Sequence, residues 1–224
     1  MPFSPLVERA IEIAAEWHDA TYRKGRWTEP ILPPPHSDGF GAAPGVPAMA
    51  HVTTVAMTAA RAGWDDETIA AAFLHDTLED RDRHSRTLVR ERLAALVGER
   101  VVQIVLAVTE PKVEGGKMLP WRVRKEAYLD VLGAGPVEAA AVSLADKLHN
   151  AYAMASSLET GVDIFMPAPG RVALSAGPDD QLWFFRAVLD ATAHHEDARL
   201  DAIREQLETE VARFAEAIGP REAA

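Results

Sequence analysis

The chain contains no cysteine among its 224 residues, which excludes disulfide bridges and thiolate metal sites. It has no apolar stretch long enough to span a bilayer, and its opening, MPFSPLVERA, lacks a signal-peptide layout. A cytoplasmic location with no membrane partner is therefore expected. Basic residues are in the minority: 23 Lys and Arg stand against 34 Asp and Glu, for a formal net charge of −11. That balance argues against binding a nucleic-acid polymer, which needs a basic face. A local basic pocket with a metal ion can still hold a polyphosphate. Strand signals are weak, and neither an internal repeat nor a domain boundary stands out.

What the chain does have is helical periodicity. Leu6, Val7, Ala10, Ile11, Ala14 and Trp17 form one apolar stripe. A second helix is expected over 49–62, ended by Gly63, and Trp64-Asp65-Asp66-Glu67 opens a third with acids in its first turn. Further helices are expected over 87–97, 100–109 and 121–132, and from Pro136 through Asp146. Gly177-Pro178-Asp179-Asp180 starts another, and the last runs over about 196–218. The reading is one all-α domain, a helical bundle over residues 1–224, with a core at about 5–155 and a C-terminal helical extension at 178–218. Two segments break the pattern. Residues 25–47 hold six of the fifteen prolines and four glycines, so they are read as an inserted loop. Residues 159–177 form a Gly/Pro-containing loop, equally readable as surface packing or as a lid.

The chemistry concentrates in Ala71-Ala72-Phe73-Leu74-His75-Asp76-Thr77-Leu78-Glu79-Asp80, an apolar run that ends in four ionisable residues within six positions. A buried carboxylate without a partner costs several kcal/mol or takes up a proton. A divalent cation relieves both problems, because imidazole and carboxylate both donate to it. Helical spacing puts His75 with Glu79 and Asp76 with Asp80 on one patch at a helix end. His51 follows the proline-rich stretch, and Asp146 interrupts the apolar SLADKLHN helix. His51, His75, Asp76 and Asp146 make a set of two imidazoles and two carboxylates for one metal ion, with coordination positions left open. Glu79 and Asp80 lie a turn further on, where a general acid or base acting on water is placed.

This ordered set resembles the HD-domain metal-dependent phosphohydrolases. It is most similar to the branch with the hydrolase domain of RelA/SpoT proteins and their stand-alone (p)ppGpp hydrolase relatives. His51, AAFLHDTLED, Val97-Gly98, Val108-Thr109-Glu110 and SLADKLHN carry the resemblance. It implies catalytic roles for Glu79 and Asp80, and Mn2+ among the metals the donors suit. His84 is the one nearby histidine for a second metal and lies past the helix end, so a single ion is expected. The resemblance carries Arg23, Lys24 and Asn150 over as substrate contacts. Arg23 and Lys24 are equally readable as a cationic helix cap. Lys147 is a further contact or a surface charge, since it is turned by roughly 100° from Asp146. Arg186, in an aromatic–basic stretch, is placed to reach a distal phosphate. His149 is directed away from the site and is a poor ligand.

The implied activity is removal of the 3′-pyrophosphate from guanosine tetra- or pentaphosphate, a small nucleotide substrate. With no synthetase domain following, a stand-alone enzyme is expected. The alternatives are an HD phosphohydrolase for another nucleotide or phosphate ester, and a metal- or nucleotide-binding module without turnover. Ala48 stands where the family's lead to the first histidine carries a tyrosine, which alters the pocket wall.

Overall fold

The structure is a computed structural model that describes residues 3–23, 46–114, 116–168 and 172–219. Lys24 and most of the 25–47 insertion lie outside the described residues. Helix α1 (Pro5–Trp17) starts where the Ser4 hydroxyl accepts the Val7 N–H and Pro5 fills the first turn. Helix α2 (Ala48–Arg61) follows the insertion, and α3 (Asp66–Leu74) is capped by Asp65, whose carboxylate accepts the Thr68 N–H at 2.9 Å. Every residue from Ala70 to Leu74 is buried. A helix apolar all round must be enclosed, and α3 packs against α1, α2, α5 (Glu99–Ala107) and α7 (Val137–Glu159).

The fold is all-α as expected, with one addition. Among the described residues the strands are β1 (Val113–Glu114) and β2 (Lys117–Met118), a two-residue hairpin. Helix α4 (Arg90–Val97) starts three residues later than the periodicity suggests. The Asp82 carboxylate explains this, because it accepts the N–H groups of His84 and Arg86 and holds 82–86 as a turn. Gly98, at φ +89°, separates α4 from α5, in a conformation that disfavours a side chain.

Helix α7 is the spine. Its alanines at 139, 140, 141, 145, 151 and 155 are fully buried and let neighbouring helices approach closely. Helix α9 (Ala198–Ile218) lays Leu200, Ile203, Leu207, Val211 and Phe214 along it, a stripe at helical spacing. Helices α6 (Trp121–Gly133) and α8 (Pro178–Thr192) pair through Trp121 against Trp183 and Tyr128 against Phe184, both edge-on. No helix among the described residues is long and apolar enough to cross a membrane.

Candidate active site

Helix α3 stops at Leu74, immediately before the ionisable residues. The Thr77 hydroxyl and N–H both go to the Leu74 carbonyl, at 2.7 and 3.0 Å. Residues 75–80 therefore run as turns rather than as a continued helix, although Asp80 N–H still reaches the Asp76 carbonyl at 2.9 Å. This separates the two acids. Glu79 turns inward with its side chain 14% exposed, while that of Asp80 is 52% exposed.

The turn meets α2 and α7 at a cluster of His51, His75, Asp76 and Asp146. His51 Nε2 lies 3.0 Å from Asp146 Oδ1 and 3.8 Å from Asp76 Oδ2. His75 Nε2 lies 3.2 Å from Asp76 Oδ1 and 3.8 Å from Asp146 Oδ1. Donors held at about 2.0–2.2 Å from one ion are about 3 Å apart when adjacent and about 4 Å when opposite. The four spacings fall in that range; among the described residues the group that could hold a metal ion is His51, His75 and Asp76, with Asp146 beside it. His75 supplies an independent test of fit. Its Nδ1–H donates to the Ala72 carbonyl at 2.8 Å, which aims Nε2 at the cluster, buried and without a hydrogen-bond partner. Loss of the Nε2 proton gives the tautomer a metal ligand requires.

Electrostatics polarise the cluster. Burial pushes the His51 imidazolium down to about 3, helped by Arg23. Burial acts the same way on His75, but Asp76, Asp146 and the Ala72 carbonyl outweigh it and raise that group to about 9. For Asp146, burial is outweighed by Lys147 and His51, which hold its carboxyl well below the usual range. Glu79 goes the other way: burial, then the Asp76 charge, push it up to about 7, against the pull of Lys112.

A cavity of about 160 Å³ opens on the cluster. Its inner wall holds Glu79, Glu110, Lys125 and Lys147. Glu79 Oε1 accepts the Glu110 N–H, Lys112 Nζ sits 3.3 Å from Glu79 Oε2, and Lys125 Nζ donates to Glu110 at 2.6 Å. Lys147 is not the surface charge that its helical direction suggested. It is buried, donates to Asp146 Oδ2 and lies 4.9 Å from the Tyr128 ring centroid. A second cavity of about 290 Å³ shares Arg23, Asp76 and Asn150 with the first, and is walled by Tyr22, Ala48, Asp80 and Leu174. At the junction Arg23 donates to Asn150 Oδ1, and Asn150 Nδ2 donates to Asp146 at 2.6 Å. The insertion's flanks are pinned beside the site, Arg23 N–H to the Val46 carbonyl and Ala48 N–H to that of Thr21, at 2.8 and 2.9 Å.

Thus the structure brings together His51, His75, Asp76, Asp146, Glu79, Asp80, Arg23, Lys147 and Asn150. It does not bring Arg186, which is exposed on α8 and lines a separate hollow with Trp183 and Asp190. Glu110, Lys112 and Lys125 are additions that sequence reasoning missed. Val108-Thr109-Glu110 belongs to the resembling stretches, but nothing in its periodicity aims Glu110 at Glu79.

Fold and cluster together define an HD domain. The HD domain family matches residues 33–165, more than half of the chain, and the chain belongs to that family. HD domains bind divalent metal, and among the described residues the His/Asp cluster is a group that could hold it. Among similar curated proteins, the guanosine-3′,5′-bis(diphosphate) 3′-pyrophosphohydrolase of Aquifex aeolicus is 36% identical over 104 residues, 46% of this chain and 12% of that protein. The probable guanosine-3′,5′-bis(diphosphate) 3′-pyrophosphohydrolase of Synechocystis is 33% identical over 107 residues, 47% of this chain and 13% of that protein. The match spans about an eighth of the length of each relative. Two solved structures share the fold, both at TM-score 0.60. A Listeria monocytogenes protein is 24% identical over 76% of this chain and 98% of its own. A metazoan ortholog of SpoT, described as hydrolysing ppGpp, is 20% identical over 97% of both chains.

Proposed function

We propose that the chain is a single HD hydrolase domain, a Mn2+-dependent phosphohydrolase that removes the 3′-pyrophosphate from guanosine tetra- or pentaphosphate. The observation that carries the reading is Glu79, a carboxyl raised to about 7, facing the same small cavity as the His51, His75, Asp76 and Asp146 donors. A bound divalent ion supplies Lewis acidity, screening phosphate charge and acidifying a water it holds. The chain's own groups do the rest. Glu79, in its ionised form, takes the proton from the attacking water, and Lys112 and the Glu110 N–H hold its carboxyl in place. The water oxygen bonds to the 3′-attached phosphorus as the 3′ O–P bond breaks, and Asp80, in the second cavity and acting in its protonated form, gives its carboxyl proton to the departing 3′ oxygen.

Substrate polarity follows from the two cavities. The smaller, almost wholly polar cavity suits the pyrophosphate, and the larger, partly apolar one suits the nucleoside, with Arg23 and Asn150 at the junction. Position 48 lacks an aromatic ring, but Tyr22 on the same wall offers one for a base to stack on. Lys24, beside Arg23 in sequence, is a further phosphate contact in this reading. The names of the Aquifex and Synechocystis relatives support the substrate. Ala48 in the nucleoside wall favours the second reading, an HD phosphohydrolase for a different nucleotide. Product chromatography of the Mn2+-loaded protein with guanosine tetraphosphate, beside a nucleotide panel, separates the two. GDP and pyrophosphate from the tetraphosphate alone are expected; turnover of other nucleotides only would discard this substrate.

A further inference from the structure

We infer that His149 is a positioning residue for the metal site, the acceptor that fixes the tautomer of His51. This rests on the cluster being a metal site but not on the identity of the substrate. His51 Nδ1 and His149 Nδ1 are 2.6 Å apart, with the two rings inclined at 25°. At that distance one proton must lie between them: two protons clash, and none leaves two lone pairs facing each other. His51 would hold a metal ion through Nε2, and the proton of its neutral ring would then sit on Nδ1 and be donated to His149. His149 then accepts through Nδ1. His75 is arranged in the same way, its Nδ1–H donating to the Ala72 carbonyl at 2.8 Å. The two imidazoles are thus both held Nε2-outward, one by a backbone carbonyl and one by a side chain.

The arrangement depends on α7 carrying both groups. Asp146 Oδ1 stands 3.0 Å from His51 Nε2, a spacing that suits two donors to one ion, and three residues later His149 reaches the opposite nitrogen. One helix thus carries both a fellow donor and the acceptor that faces His51 Nδ1, with α2 supplying the ring. His149 in turn lies beside Tyr152, with ring centroids 6.5 Å apart, and Arg213 sits 5.4 Å from the Tyr152 ring. His149 is a poor ligand, as its direction on the helix implies, yet it acts on one.

The test compares two variants of nearly equal size. In His149→Asn the amide oxygen stands near the place of Nδ1 and can accept; in His149→Leu nothing can. Mn2+ affinity is measured by calorimetric titration, and metal-free melting curves identify any variant that fails to fold. His149→Leu is expected to bind about 10–100-fold more weakly, the usual effect of losing an outer-shell partner, and His149→Asn within about threefold of wild type. Ring nitrogen shifts of His51 in Zn2+-loaded wild type are expected to report a proton on Nδ1. Wild-type affinity in a folded His149→Leu, equal losses in both variants, or a proton on His51 Nε2 would each overturn the inference. A wild-type protein that takes up no divalent ion would overturn it together with the metal site. One that binds metal but leaves guanosine tetraphosphate intact would discard only the substrate.

Discussion

Glu79 Oε1 accepts the backbone N–H of Glu110 at 2.5 Å, a bond that ties the turn after α3 to the segment after α5. It holds a carboxyl whose environment, burial and the Asp76 charge first, opposes ionisation. Glu79→Gln keeps the shape and removes the base. The expected result is a loss of about 10²–10⁴-fold in kcat with Mn2+ affinity little changed. Wild-type kcat in this variant would remove Glu79 from the chemistry.

The same residue predicts a stability effect of definite sign. Its folded pKa, about 7, lies above the reference value of 4.5, so the folded state binds more protons between the two and loses stability as pH rises through that window. Glu79→Gln in metal-free protein should therefore gain up to about 3 kcal/mol at pH 8 and almost nothing at pH 4.5. Urea unfolding at the two pH values measures it. An equal gain at both would point to packing rather than charge.

Metal uptake should expel a proton. His75 is raised to about 9, so it is protonated at pH 7 and must lose that proton to donate through Nε2. Calorimetry in buffers of different ionisation enthalpy should count about one proton released per ion at pH 7, falling towards none above pH 9. No release at pH 7 would mean that His75 is not a ligand.

Lys147 and Asp146 form a buried pair, with each side chain 10% exposed. Removing the ammonium takes from a buried carboxylate the positive charge that does most to stabilise it. Lys147→Met should destabilise the metal-free protein by about 3–5 kcal/mol, with part of the loss recovered when Mn2+ restores a neighbouring positive charge. A loss below about 1 kcal/mol would mean that Lys147 can leave the interior.

Arg23 and Arg186 were both candidates for substrate binding, and the structure separates them. Arg23→Ala should raise KM for guanosine tetraphosphate about tenfold or more, the worth of a charged hydrogen bond. Arg186→Ala, on the far hollow of α8, should stay within about twofold. Equal effects would mean that the cavity at Arg23 is not where substrate sits.

Local interactions made much of this protein legible. The 3.6-residue stripe of α1, the acids opening α3 and the Pro178 start of α8 are short-range, so sequence placed those helices to within a few residues. His75, Asp76 and Glu79 stood out because polar groups ending an apolar run need a physical reason to be there. Other features depended on how helices rotate against one another. Sequence could not show that the Leu74 carbonyl would be taken by Thr77, parting Glu79 from Asp80. Nor could it show Lys147 folding back onto Asp146, His149 meeting His51 across two helices, or Arg186 on the outer face of α8. Sequence determined which groups could bind a metal, because donor chemistry belongs to the residue type. Tertiary packing decided which groups meet, because a helix fixes the spacing of its side chains but not the neighbour they face.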